Sequence, residues 1–525
     1  MTRTALIPLL LLVITGSAQN RKTSQSVLAT GNWYRISVQQ TGIHQVTHEN
    51  LLELGMDPAG IDPANIRLYG NGGGMLPESN ANPRIDDLRE NSILVFDGVD
   101  GSFDPGDYFI FYGEAASNWV YNEQDHHFTH RKNLYSDVTY YFITTDLGPG
   151  KRVQPVWDPD TSSNYTSIRF MDYAYHDQDE RNLIRSGKIW VGEEFNNLQN
   201  EYEFPFFFPD ALPNSSCRIN TFAVARAPST STMYIYLGDT LVDQFNIELT
   251  DLQSTSVYAR PKLRASLAML RSENASIKLK YSLPTPASLA WLNYVEINLF
   301  RRLSWTGPQL AFRDPYNIGP DNKTKFLLEQ APPGIVIWDV SDPGGILAVQ
   351  GTWIDPDSTY RFILPTPALR QFVAFDGSFY HPVAPLGPVA NQNLHGDQPT
   401  QMIIIAHPAF LSQAEILAGF HRSNSGITVT VTETDKIYNE FSSGQHDLTA
   451  IRDYIRMLYL RAGAADKPRY ILLFGDGSYD YKDRIPNNTN FVPTFQSEES
   501  FKFIMTFVTD DYYGIMGEAQ GQDAT

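Results

Sequence analysis

Cysteine is nearly missing from this 525-residue sequence, and Cys217 stands alone. A single thiol closes no internal disulfide, so the folded units must stand on packed cores. Basic runs are missing too. The chain has 40 Lys and Arg against 59 Asp and Glu, a formal net charge of −19. That balance argues against nucleic acid or an anionic membrane as main partner. Past the N-terminus no stretch approaches the about 20 apolar residues that span a bilayer. The glycine run Gly70-Asn71-Gly72-Gly73-Gly74 lacks the Lys-Ser/Thr and following helix of a phosphate loop, so it reads as a β-turn.

What is present is aromatic and turn-rich: 13% Phe, Trp and Tyr, with 36 Gly and 33 Pro. Such a composition suits β domains better than helical bundles. The length calls for several domains of roughly 150 residues each. Met1–Asn20 reads as a signal peptide, with Arg3, a short apolar core over Ala5–Ile14 and small residues at Gly16-Ser17-Ala18. The expected layout is a leader over 1–19, a β module over 20–155, a connecting arm over 156–200 and a β sandwich or jelly roll over 201–305. A further β module over 306–382 and a linker over 383–400 follow, and an α/β domain over 401–525 reads as incomplete.

Within the first module, Gly42–Val46 reads as the hairpin partner of Trp33–Val38. The Asp-rich stretch 97–107 admits calcium, though Asp is equally a turn residue. His126, His127 and His130 beside Asp125 could suit zinc, but without a helical pattern they read as a solvated loop. Even strand spacing between 201 and 300 is the mark of a sandwich. Cys217 begins one of those strands and reads as a packing residue. His395-Gly396 follows no apolar run and reads as linker.

At Met402 the pattern changes. Met402–Ala406, Ile427–Val431 and Tyr470–Phe474 are apolar strands, separated by helical spacing over Ala409–Arg422 and Leu448–Leu460. This βαβαβ order predicts a doubly wound parallel sheet, with ligands expected outside its carboxyl ends. Gly475-Asp476-Gly477 lies at that end, followed by Asp480, Asp483, Asp510 and Asp511. His407 ends the first strand and reads as polar surface.

The stretches Tyr470–Asp483, Phe491-Val492-Pro493-Thr494 and Thr509–Gly514 resemble the gingipain-type, caspase-like cysteine peptidases, and within them the surface sortases of type IX secretion. Ser26–Tyr34, Ile66–Leu76 and Trp338–Pro343 extend the similarity through the N-terminal part. The resemblance implies a His–Cys dyad at the ends of later strands, so no catalytic residue is assigned within 1–525, and the chain alone is expected to be inactive. It implies Asp510 as a pocket-wall acid, with Asp476 and Asp511 as further substrate-pocket candidates; the reading of Asp476 as an Asx-turn stays open. The implied chemistry is thioester acyl transfer without a required cofactor, calcium remaining possible and metal ligands unknown. The implied partners are secreted cargo with C-terminal sorting domains, outer-membrane secretion components and a glycolipid acceptor, at the outer membrane or cell surface of a Gram-negative bacterium. Two alternatives remain: a non-catalytic surface scaffold of β modules, and a peptidase that only hydrolyses.

Overall fold

The computed structural model describes residues 23–98, 100–355, 358–518 and 520–521. The expected leader lies outside them. No helix among the described residues is long and apolar enough to cross a membrane.

Trp33–Val38 forms a sheet with Thr139–Thr144 on one side and Ala384–Val389 on the other. Residues 384–389, linker by composition, are therefore a strand. Their Pro and Gly hide it, because an edge strand tolerates proline where a central one does not. Gly42–Thr47 does not pair with Trp33–Val38 as its hairpin position suggested. It crosses into a second sheet and pairs with Tyr108–Gly113. Ile36, Val46, Leu68, Phe109, Phe111 and Ile143 fill the space between the two sheets. The switch lets both strands bury an apolar face in one core.

Two sheets build the sandwich. One runs Arg169–Asp177, Leu289–Arg302, Ser216–Arg226, Arg260–Met269; the other runs Glu201–Phe204, Ile277–Ser282, Ser231–Leu237, Thr240–Ile247. Part of the expected connecting arm is thus a sandwich strand. Arg169–Asp177 pairs antiparallel with Leu289–Arg302 along its whole length. Its alternation was hidden because both faces carry rings: Phe170 is buried in the core of the neighbouring pair of sheets, while Tyr173 stacks on Trp119 at 4.0 Å and Tyr175 on His130 at 4.4 Å. Arg260–Met269 was invisible for the opposite reason. It buries Ser266 and Ala268 and exposes Leu263 and Leu267.

A further pair of sheets packs Phe170, Phe312, Phe326, Phe362 and Phe372 between them. Gln154–Val156 and Tyr165–Ser167 join these sheets in parallel with Leu347–Val349 and Lys323–Leu328.

The α/β unit has the expected core. Met402–Ala406 is central, with Val429–Glu433 and Tyr470–Phe474 parallel to it on either side. Met402, Ile404 and Ala406 pack against Ala414 and Ala418 of the helix Leu411–Phe420. Ile403 and Ile405 face the opposite layer, Thr434–Phe441 and Leu448–Arg461. Burial on both faces is why Met402–Ala406 reads as a continuous apolar run, whereas Tyr470–Phe474, equally apolar in sequence, is an edge strand with no fully buried residue. The architecture is N-terminal β modules followed by part of a caspase-like α/β domain.

Candidate active-site cleft

The parallel strands deliver their carboxyl ends to one edge. After Phe474 the chain enters the loop 475–494, organised by Asp480. This side chain is fully buried; it accepts from the Lys482 N–H at 3.2 Å, the Ile485 N–H at 2.7 Å and Arg484 Nη1 at 3.1 Å. A buried carboxylate this well supplied with donors fixes a loop in one shape. A Cβ on Gly475 would press on Phe491 and Val492, so the returning loop passes directly over the strand end. Phe495–Gln496 then pairs with Val508–Thr509, and the Tyr513 hydroxyl donates to the Pro493 carbonyl.

The β modules hold these loops from outside. Gly187 N–H donates to Gln496 Oε1 at 3.1 Å, Lys188 N–H to the Ser497 carbonyl at 3.1 Å, and Ile189 N–H to Ser500 Oγ at 2.9 Å. Lys188 Nζ reaches Glu78 at 2.6 Å and Glu498 at 2.7 Å. Arg484 spans Asp480 and Asp179, its guanidinium 4.3 Å above the Trp190 ring. Lys482 pairs with Asp137 at 2.5 Å. The segment 182–190, part of the arm of the sequence reading, is one wall of the loop cluster.

Between that wall and the loops lies an open cleft of about 330 Å³. Its lining includes Arg185, Gly477, Ser478, Tyr479, Thr489, Thr494, Gln496 and Val508. Two of the three sequence candidates are bonded to its lining. Asp476 accepts from Gly477 N–H at 3.0 Å and from Thr489 Oγ1 at 2.7 Å. Asp510 accepts from Thr494 Oγ1 at 2.9 Å. Both carboxylates are thus bonded to cleft-lining residues, but neither lines the cleft. Asp511 is exposed at the start of the short turn Asp511–Gly514. His407 Nδ1 accepts from Ala409 N–H at 3.2 Å, and its ring lies 4.9 Å from that of Phe491.

Sequence reading missed two buried histidine hubs. His130 was placed in a solvated loop; it is buried, with Nδ1 2.7 Å from Glu296 and Nε2 2.8 Å from Asp177. His127 is also buried, and His126 bonds instead to Tyr121, so the three rings do not converge. His395, read as linker, is fully buried, with Nδ1 2.6 Å from Glu440 and Nε2 3.2 Å from Asp86. Its ring stacks on Phe441 at 4.6 Å. Burial works against charge on both rings, but the facing carboxylates outweigh it and raise both pKa values. The only sequence signal was the partner acids, which are far away in the chain.

Asp87, His395 and Glu440 form a group compact enough for a metal ion. Protein donors already serve these atoms. Asp87 accepts from Ser26 Oγ and Val27 N–H; Glu440 accepts from the Leu394 and His395 N–H groups and from His395 itself. The arrangement is an ion-pair hub joining the first β module to the α/β unit. In the Asp-rich stretch, Asp100 and Asp104 accept from Ser102, and Asp107 accepts from Asp104 N–H.

The glycine run does more than turn. Asn71 N–H donates to Ser443 Oγ and Leu76 N–H to Asp447, which docks the first module on the α/β unit beside a cavity of about 130 Å³. Cβ atoms on Gly72 and Gly73 would collide with Glu114 and the Ala115 carbonyl. Cys217 is buried in the sandwich core, its thiol pushed up to about 11 by burial. It faces no base and lies outside the cleft lining.

The model of Peptidase family C25 matches residues 395–524. Among solved structures, dimeric latent PorU from Porphyromonas gingivalis is 24% identical with a TM-score of 0.81, covering 95% of this chain and 47% of that one. The chain therefore spans about half the length of that relative. A carbohydrate-binding module, CBM36, in complex with calcium and xylotriose is 12% identical over 22% of this chain and 96% of its own, with a TM-score of 0.15. The C-terminal CBM6 of LamC from Zobellia galactanivorans is 13% identical over 25% of this chain and 97% of its own, also at 0.15. Neither supports a functional reading at that score. No curated protein matches the sequence. Residues 395–524 thus resemble Peptidase family C25, and the fold follows that of latent PorU over nearly the whole length.

Proposed function

We propose that this chain carries the substrate-cleft portion of a cysteine endopeptidase acting as a sortase on exported proteins. The observation that supports it most is the cleft at the carboxyl ends of the parallel strands, lined, apart from Arg185, by the segment that matches Peptidase family C25. The His–Cys dyad is taken to come from sequence beyond residue 525. Two features fit that division. Cys217 is buried far up in pKa, and Tyr470–Phe474 is a sheet edge that leaves Tyr470 and Ile471 exposed, open to further strand pairing.

In the proposed reaction a thiolate attacks a peptide carbonyl. The peptide bond breaks, the leaving amine takes a proton from His, and an acyl thioester remains. An amine-bearing acceptor then displaces the thiol; water in its place gives hydrolysis. The substrates are secreted cargo with C-terminal sorting domains, the acceptor is a surface glycolipid, and the site of action is the outer surface. The test is product analysis with the parent protein, cargo and excess glycine amide as acceptor. Amide-capped product, lost when thiols outside Cys217 are alkylated, is expected. Free acid alone would reduce the reading to a hydrolase. No cleavage at all would leave the scaffold reading.

A further inference from the structure

Arg185 is the one charged residue lining the cleft. The chain carries 19 more acidic than basic side chains, and among the described residues arginines and lysines near these loops are paired: Lys188 with Glu78 and Glu498, Arg484 with Asp179 and Asp480, Lys482 with Asp137. Arg185 has neither an ion pair nor a hydrogen bond among them. It is exposed, on a wall that is otherwise tightly sewn down.

Its backbone points the same way. Arg185 has φ +57, a left-handed conformation unfavourable for a residue with a Cβ. The chain is held just after it: Ser186 N–H donates to Asn182 Oδ1 at 3.0 Å, and Gly187 N–H is tied to Gln496. Glycine would fit this position without strain, yet an arginine occupies it with its charge unspent. The rest of the lining is neutral hydroxyl, amide and apolar surface.

We propose that Arg185 makes this cleft a carboxylate-binding subsite, one that selects an acidic group on the peptide. This rests on the cleft being the substrate site. The guanidinium offers two parallel N–H donors that fit a carboxylate in bidentate fashion, and no competing acid among the described residues holds them. The carboxylate comes from an Asp or Glu side chain or from a peptide C-terminus. Asp476 and Asp510 do not occupy the role of its partner: each is bonded to a threonine hydroxyl.

The test is fluorescence anisotropy of the 525-residue chain with four labelled pentapeptides: central Asp with an amidated end, central Asn with an amidated end, central Asn with a free carboxyl end, and central Lys with an amidated end. One or both carboxylate peptides are expected to bind at least about fivefold tighter than the neutral one. Which of them does so identifies the source. Arg185→Gln is expected to erase the difference and Arg185→Lys to keep part of it. Arg185→Gly removes the charge while relieving the backbone, so it separates loss of recognition from loss of folding. Equal binding of all four, or a preference surviving in Arg185→Gln and Arg185→Gly, overturns the subsite and leaves the cleft reading standing. Binding of none overturns both. Tighter binding of every peptide after loss of Arg185 would mark it as a plug and also overturn the proposal.

Discussion

His395 Nδ1 lies 2.6 Å from Glu440 Oε2 with both side chains fully withdrawn from solvent. Asp86, from the first β module, takes the other ring nitrogen. One imidazolium therefore joins two units more than 300 residues apart in sequence. The His130 hub does the same between the hairpin 118–131 and the sandwich.

These hubs set a pH dependence. Both histidines have pKa values raised above the ordinary 6.5. Their contribution is complete below that value and is lost as pH rises through the raised folded values. The melting temperature is expected to fall across the alkaline side of 6.5. Thermal melts from pH 6 to 9 check it, and the slope should shrink in His395→Gln.

Breaking one partner costs more than the pair contributes. Glu440→Gln leaves a buried imidazolium short of its closest counter-charge, and a loss of about 3–5 kcal/mol is expected by urea unfolding. The first transition to move should be the docking of the α/β unit on the β modules, read by proteolysis around residues 390–400.

The wall of the cleft depends on Gly187. It has φ +79, and a Cβ there would collide with Ser500 Oγ and the Glu499 carbonyl. Gly187→Ala is expected to push segment 182–190 off the loops and to cost about 1–2 kcal/mol or more. Amide exchange should quicken at 182–190 and 495–500 while Met402–Ala406 stays protected.

Cys217 should be chemically silent. Its thiol is held near 11 inside the sandwich core. Iodoacetamide at pH 8 is expected to leave the folded chain unlabelled and to label it fully in urea. Rapid native labelling would mean that the sandwich opens.

Much of the frame was legible because its physics is local. The strands at 402–406 and 470–474 declare themselves as apolar runs, and the sandwich strands by spacing. What was hidden depends on long-range partners. Arg169–Asp177 looked like an arm because its outer face is covered by Trp119 and His130 from another unit. Arg260–Met269 turns Leu263 and Leu267 outward, inverting the usual signal. Of the acids singled out in sequence, Asp476 and Asp510 are bonded to residues lining the candidate cleft, but none of the three lines it. The contribution of Arg185 was not visible, since nothing in sequence links residue 185 to residue 496.

The most direct measurement is hydrogen–deuterium exchange of the 525-residue chain with and without a saturating mixture of capped pentapeptides. Slower exchange at 182–188 and 477–496, with the sandwich unchanged, is the expected result. Protection confined to the β modules, with the cleft loops unaltered, would contradict a substrate site at the carboxyl ends of the parallel strands.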